Sequence, residues 1–341
     1  MKTTTELKPA NGADEPVALK TGPFGLGSLQ YLPVSLFGST VAFAGAAIGW
    51  RQAAILFGTP SLVSNVIGIF AWAAFILLFG AYLYKFIAYK QKVIAELTDP
   101  IAANFLGTFF ISAVLLSTVA APFILSLARI TWLAGTVGGI VYMYLLTKRL
   151  YKGELKVLDL VPPVLIPGLT VLNAVFTRVN LKFSWWETLG DMPLFAIGIV
   201  FVMVFFVIIS YRLVHLEPPI LFLRPTLLLM SAPFEVGFLA YVSTKTQVDE
   251  LGSVLFFFGF FIFIIAFFIV FTKDLPFMTS WWGACFSMGA LANASLKYAL
   301  LSHMITMKYL SLVLLSGSGL LTSITLYLTL RALFTGKLLK P

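Results

Sequence analysis

Cysteine occurs once in this chain, at position 285, and histidine twice, at 215 and 303. One thiol cannot close an internal disulfide, and two imidazoles without ligand spacing around them give no metal site to expect. Phosphate-cradling glycine loops and paired acid/base residues are missing from the apolar stretches, so a membrane enzyme has little chemistry to work with and no cofactor is expected. Charge is scarce as well: Asp, Glu, Lys and Arg make up 11% of the residues, against roughly a quarter in soluble domains. Hydrophobic residues stand at 60%, with a mean hydropathy of +0.97. These values define an integral membrane protein with the lipid bilayer as its solvent. A net charge of +9 would point a soluble protein toward nucleic acid; here basic residues that hold cytoplasmic loops in place account for much of it, and no nucleic-acid partner is expected.

Ten runs are long enough to cross ~30 Å of hydrocarbon, at roughly 31–50, 62–86, 102–120, 122–147, 160–178, 191–213, 225–245, 251–272, 279–301 and 308–333. Each is about twice the length of a barrel strand, and lone strands leave backbone groups unsatisfied in lipid, so the runs predict α-helices. The expected organisation is one all-α transmembrane domain over 31–335, between a cytoplasmic tail at 1–30 and a short cytoplasmic tail at 336–341. The third and fourth runs meet in a tight corner at Ala121 and Pro122. The polar start, with Lys2, Glu6, Lys8, Asp14, Glu15 and Lys20, does not read as a signal peptide, because the first apolar core begins only near residue 31.

With the N-terminus inside, sixteen lysines and arginines fall on the cytoplasmic side and six on the other: Arg51, Arg178, Lys182, Lys245, Lys297 and Lys308. That asymmetry predicts a multi-pass protein of the cell inner (plasma) membrane with both termini cytoplasmic. Trp50, Trp185 and Trp186 then fall where outer interfacial aromatics belong.

Odd and even runs differ in proline. Pro33, Pro162, Pro163, Pro167 and Pro233 lie in or beside odd runs, and a freed carbonyl is tolerated at membrane depth only where protein or a wet cavity satisfies it. The odd helices are therefore expected inside. Even runs such as "VLFFFGFFIFIIAFFIVF" are apolar all round, as lipid contact requires. In the ninth run, "WWGACFSMGALAN" surrounds Phe286 with small residues; at helical spacing the ring shares a face with Trp282, Gly289, Ala290, Asn293 and Lys297. Close helix packing explains such a strip. So does a lumen, and the second reading gains from Arg51, Arg178 and Lys245, which join Lys297 at the outer ends of odd runs as a basic mouth for anions.

The fragments "LPVSLFGSTVAFAGAA", "GTVGG", "LIPGLTVLNAV", "LEPPILFLRPTLLLMSAP" and "WWGACFSMGALAN", in this order over nearly all of the chain after residue 30, resemble the tellurite-resistance/dicarboxylate transporter family, which includes the slow-type anion channels of plant guard cells. The resemblance implies a homotrimer with one pore per protomer. It also implies ten transmembrane helices as five helical hairpins around a central pore, odd helices inside and even helices outside, and a gate at Phe286.

Pore-lining candidates on the odd helices are Ser35, Gly38, Ser39, Thr108, Ser112, Thr170 and Asn173, the broken-helix backbone at Pro33, Pro167 and Pro233, and Gly289, Ala290 and Asn293 on the Phe286 strip. Glu235 is a further candidate in the seventh run, where the family usually has an uncharged residue. Ionised, it repels anions; protonated, paired with Arg129 or acting as a proton relay, it is compatible with transport, and packing between helices explains it equally. The leading expectation is an anion channel passing small anions such as chloride or nitrate. The alternative is a proton-coupled secondary transporter or exporter of C4-dicarboxylate, sulfite or tellurite-type oxyanions.

Overall fold

The computed structural model describes residues 26–183, 190–217, 219–243, 245–271 and 275–339; Trp185, Trp186 and most of the N-terminal tail lie outside them. Among the described residues there are helices and no strand. The α-helices are α1 (Phe37–Phe57), α2 (Ser61–Ala88), α3 (Lys90–Thr98), α4 (Gly107–Ala120), α5 (Leu125–Tyr151), α6 (Ile166–Arg178), α7 (Met192–His215), α8 (Ala232–Val242), α9 (Glu250–Phe271), α10 (Trp281–Ser302) and α11 (Ile305–Phe334).

Among the described residues eight helical segments are long and apolar enough to cross a membrane, which makes this a multi-pass all-α membrane protein. The runs at 160–178 and 279–301 are helical too, as α6 and α10, but they are shorter or less apolar than the rest. Shielding explains the difference: 11 of the 13 residues of α6 and 14 of the 22 of α10 are buried, so neither helix needs a lipid-soluble surface.

Burial separates two sets of helices. Over an 18-residue window in each, Ala102–Ala120 and Leu221–Val242 are 78% and 89% buried, whereas Ser61–Ala88 is 11% buried and Glu250–Phe271 33%. The inner helices α1, α4, α6, α8 and α10 close into a ring, with α1 touching α4 and α10, α6 touching α4 and α8, and α8 touching α10. The outer helices α2, α5, α7, α9 and α11 each touch the inner helix that precedes them, and turn side chains such as Leu77, Ile87, Val207, Phe268 and Val313 outward. That apolar coat suits hydrocarbon and would aggregate in water. Close approach is bought with glycine: a Cβ at Gly135 would stand 2.8 Å from the Phe110 carbonyl, and one at Gly139 2.7 Å from Thr170.

The prolines mark places where the helix type changes. Four inner helices start with a 3-10 stretch, at Val34–Leu36, Ala102–Leu106, Pro162–Leu165 and Leu221–Met230; Pro33 caps the first of these. Pro167 and Pro233 occupy the first turns of α6 and α8, where a missing N–H costs nothing. A second difference concerns α1, which continues past the expected end at Trp50 to Phe57 and stops at Gly58, whose φ of +70° only glycine adopts without strain. Within that extension Arg51 turns inward, donating to the carbonyls of Thr118 (2.8 Å) and Val119 (3.4 Å) at the end of α4.

Helix α3, in a stretch expected to be loop, fixes the start of α1. Glu96 accepts the Val34 N–H at 2.9 Å with one oxygen; the other takes the Lys85 ammonium at 2.7 Å and the Tyr82 hydroxyl at 3.1 Å. Lys85 also donates to the Leu32 carbonyl at 2.7 Å. The corner between α4 and α5 falls at residues 121–124, as expected.

Candidate functional site

The inner ring encloses three cavities in a row. The five inner helices run in one direction, because residues near their starts line the first cavity and residues near their ends line the last. We call those faces proximal and distal.

The proximal cavity, of ≈ 20 Å³, is bounded by Ser35, Gly38 and Val41 of the first span, Phe105, Thr108 and Ile111 of the second inner segment, Ile166, Leu229, and Trp282, Gly283 and Phe286 of α10. The middle cavity, also ≈ 20 Å³, is lined by Val41, Ala42, Gly45 and Ile48, by Leu115, by Asn173 and Phe176, by Val236 and Leu239, and by Cys285, Phe286, Gly289, Ala290 and Asn293. All five inner helices contribute to it. A volume of this size holds about one water, far short of a hydrated anion. Phe286 and Val41 line both cavities, so the ring stands at the junction between them.

The distal vestibule is larger, ≈ 210 Å³, and is lined by Ile48, Arg51, Gln52, Ile55, Thr118, Phe176, Val179, Asn180, Ser243, Lys297 and Leu300. It contains two cations and, among the described residues, no carboxylate. The four basic residues expected at the mouth divide here. Arg51 and Lys297 line the vestibule. Arg178 does not, and is engaged by Asp191 through Nε at 2.5 Å and a second guanidinium nitrogen at 2.6 Å. Lys245 pairs with Asp249 at 2.9 Å outside the cavity. Hydrogen bonds from the Tyr241 hydroxyl, the Lys245 ammonium and the Gly252 N–H hold the Asp249 carboxyl well below the usual carboxylate range.

Of the pore-lining candidates, Ser35, Gly38 and Thr108 line the proximal cavity, and Asn173, Gly289, Ala290 and Asn293 the middle one. Ser39, Ser112, Thr170, Pro167, Pro233 and Glu235 line none of the three, and neither does Pro33. Most hydroxyls are already spent. Ser39 donates to the Leu36 carbonyl (2.7 Å), Thr108 to Phe105 (2.6 Å), Thr170 to Ile166 (2.9 Å), and Ser112 and Thr40 share a 2.5 Å contact between α4 and α1. A hydroxyl has one proton, so a group bonded this way has none left for an anion.

Glu235 is fully buried on α8 and faces the outer helix α9: a Cβ on Gly259 would lie 3.3 Å from its Cγ. Among the described residues the Ser231 hydroxyl is the side chain within its reach, and it donates to the Leu228 carbonyl at 2.9 Å. The pairing with Arg129 does not occur, because Arg129 donates to the carbonyls of Leu181 (2.9 Å) and Lys182 (2.7 Å) beyond the end of α6.

Sequence reasoning missed Gly45, Gln52 and Phe176. A signal for Phe176 existed, since it follows the candidate Asn173 by three residues and shares its helix face. Gly45 sits in a run of small residues that gave no reason to prefer it, yet nothing lies within 4 Å of the place a Cβ would take.

A lipid-coated ring of five shielded helices, whose narrow lumen opens into a cationic vestibule free of acids, defines a membrane channel or transporter for anions. The chain belongs to the voltage-dependent anion channel (SLAC1) family, whose family model matches residues 31–330. It is also similar to a tellurite resistance protein TehA homolog of Haemophilus influenzae, at 24% identity over 273 residues, which cover 78% of this chain and 81% of that protein.

Proposed function

We propose that this protein is an anion channel for small anions such as chloride or nitrate, and that Phe286 is its gate. The observation that carries the reading is the position of Phe286 at the junction of the proximal and middle cavities. A ring there blocks an anion twice over: it fills the path, and it offers no donor to replace lost hydration. Rotation about its side-chain dihedrals would move it from the lumen to the wall, which places gating in a balance between rotamers. Gating of this kind needs no large helix movement.

The ring of inner helices closes within one chain, which supports one pore per protomer whatever the oligomer. Ten crossings, with α6 and α10 as the two less apolar ones, agree with the direction shared by the inner helices. The excess of basic residues on proximal loops supports a cytoplasmic proximal face and an outer vestibule. Arg51 and Lys297 would gather anions there, and walls whose hydroxyls are mostly spent would bind them weakly, as rapid passage requires.

The alternative, a proton-coupled carrier, draws on Glu235. Its support is weaker because that carboxyl lines none of the cavities and faces α9. The test is current through planar bilayers under a chloride or nitrate gradient. Phe286→Ala is expected to raise conductance, with a reversal potential that follows the anion and not the proton gradient. A variant that reaches the membrane in the wild-type oligomer yet conducts no better would rule out this ring as the sole occlusion.

A further inference from the structure

Phe176 stands where the middle cavity meets the vestibule, and a gate at Phe286 gives that ring no role. Phe176 and Ile48 line both the middle cavity and the vestibule, just as Phe286 and Val41 line both the middle and proximal cavities. Val41 and Ile48 are seven residues apart on α1, so they share a face and the two junctions lie about 10 Å apart along the lumen. The rings come from different walls: Phe286 from α10, which packs on α1, and Phe176 from α6, which packs on α4 and α8.

We propose that Phe176 is a second occlusion in series with Phe286, so that the middle cavity is a chamber closed at both ends and an anion crosses only when both rings have left the lumen. The proposal rests on the gate reading of Phe286 only in taking the two rings as successive barriers. The chamber itself makes them separate. At ≈ 20 Å³ it has room for about one water, so an anion between the rings has shed its shell. Little replaces that shell. The Asn293 amide donates to the carbonyls of Gly45 and Gly289 and accepts from Gln52. Asn173 gives one N–H to the Leu169 carbonyl at 2.9 Å and keeps the other. With one free side-chain donor between two apolar rings, passing each ring is its own desolvation step.

Thiol labelling tests this without requiring current. In a Cys285→Ala background, Gly45→Cys places a thiol in the chamber, where a Cβ meets nothing within 4 Å. The probe is a membrane-impermeant methanethiosulfonate bearing a sulfonate, added from the distal side of oriented vesicles, with Gln52→Cys in the vestibule as the accessible reference. With Phe176 in place, Gly45→Cys is expected to react slowly whether residue 286 is Phe or Ala. Phe176→Ala is expected to speed the reaction at least tenfold, and Phe176→Val serves should the alanine variant fail to fold. Equal rates with and without the ring would overturn the proposal. In bilayers the double variant Phe176→Ala, Phe286→Ala is expected to conduct at least tenfold more than Phe286→Ala. A double variant no better than Phe286→Ala would also overturn it. Should labelling follow Phe176 while the double variant conducts more than Phe286→Ala but no more than Phe176→Ala, the gate at Phe286 fails and the second occlusion stands.

Discussion

Lys297 offers the most quantitative test of the vestibule. Its ammonium lines a cavity of ≈ 210 Å³ whose other cation is Arg51, and none of the ion pairs among the described residues includes it. An anion about 5 Å from that charge gains about 0.8 kcal/mol at the dielectric of water and about 3 kcal/mol at an effective dielectric of 20. A vestibule of this size holds water, so the lower figure governs. It corresponds to a local anion concentration raised about fourfold, since 1.4 kcal/mol is a factor of ten. In a Phe286→Ala background, Lys297→Gln should therefore lower conductance about fourfold at 10 mM chloride, where the Debye length is ~30 Å, and change it little at 1 M, where it is ~3 Å. Lys245→Gln is the matched control, because Lys245 is exposed, bound to Asp249 and outside the vestibule. Single-channel recording at the two salt concentrations decides the matter. An equal loss at both concentrations, or a Lys245→Gln variant as impaired as Lys297→Gln, would refute the electrostatic argument.

Removing Glu96 strands the buried Lys85 ammonium and frees the Val34 N–H at the start of α1. Glu96→Ala should cost about 3 kcal/mol, the low end for a broken buried pair because Lys85 keeps the Leu32 carbonyl; an unchanged thermal midpoint in detergent would contradict the role given to this network. Glu235→Gln keeps the shape of a side chain that lines none of the three lumen cavities, so anion flux and its insensitivity to a proton gradient should be unaltered in liposomes. Proton-driven uptake that disappears in this variant would instead favour the carrier. Gly45→Leu should fill the middle cavity and return Phe286→Ala current to the wild-type level without loss of folded protein. Persistent current would place the ion path elsewhere.

Lipid-facing surface was readable because it is a composition. Leu, Ile, Val and Phe on the outer helices answer to solvent alone, and the apolar runs located each of the eight described segments long and apolar enough to cross, several to within a residue or two at an end. The inner set was readable from proline, although for a reason that changed: the prolines sit at 3-10 junctions and first turns. The Phe286 strip was readable because helical spacing joins it to Gly289, Ala290 and Asn293 on the same element. Helix α3 was missed because nine polar and apolar residues with three charges look like a loop until Glu96 is seen beneath Val34.

Periodicity and hydropathy act along one chain segment at a time, and they were enough to establish an all-helical membrane protein with shielded and lipid-facing helices and a phenylalanine amid small residues. Interactions between segments depend on which faces meet, and those were settled only in three dimensions. Arg51, Arg178, Lys245 and Lys297 are alike in the sequence; Asp191 and Asp249 withdraw two of them from the vestibule. Phe176 is one apolar residue among many until Ile48, on another helix, stands with it between two cavities. Glu235 looked like a pore carboxylate in a linear reading, and the missing side chain of Gly259 is what lets α9 pack against it, outside the lumen. Burial, pairing and closure of a ring depend on distances between residues far apart in the chain, and local pattern does not encode those distances.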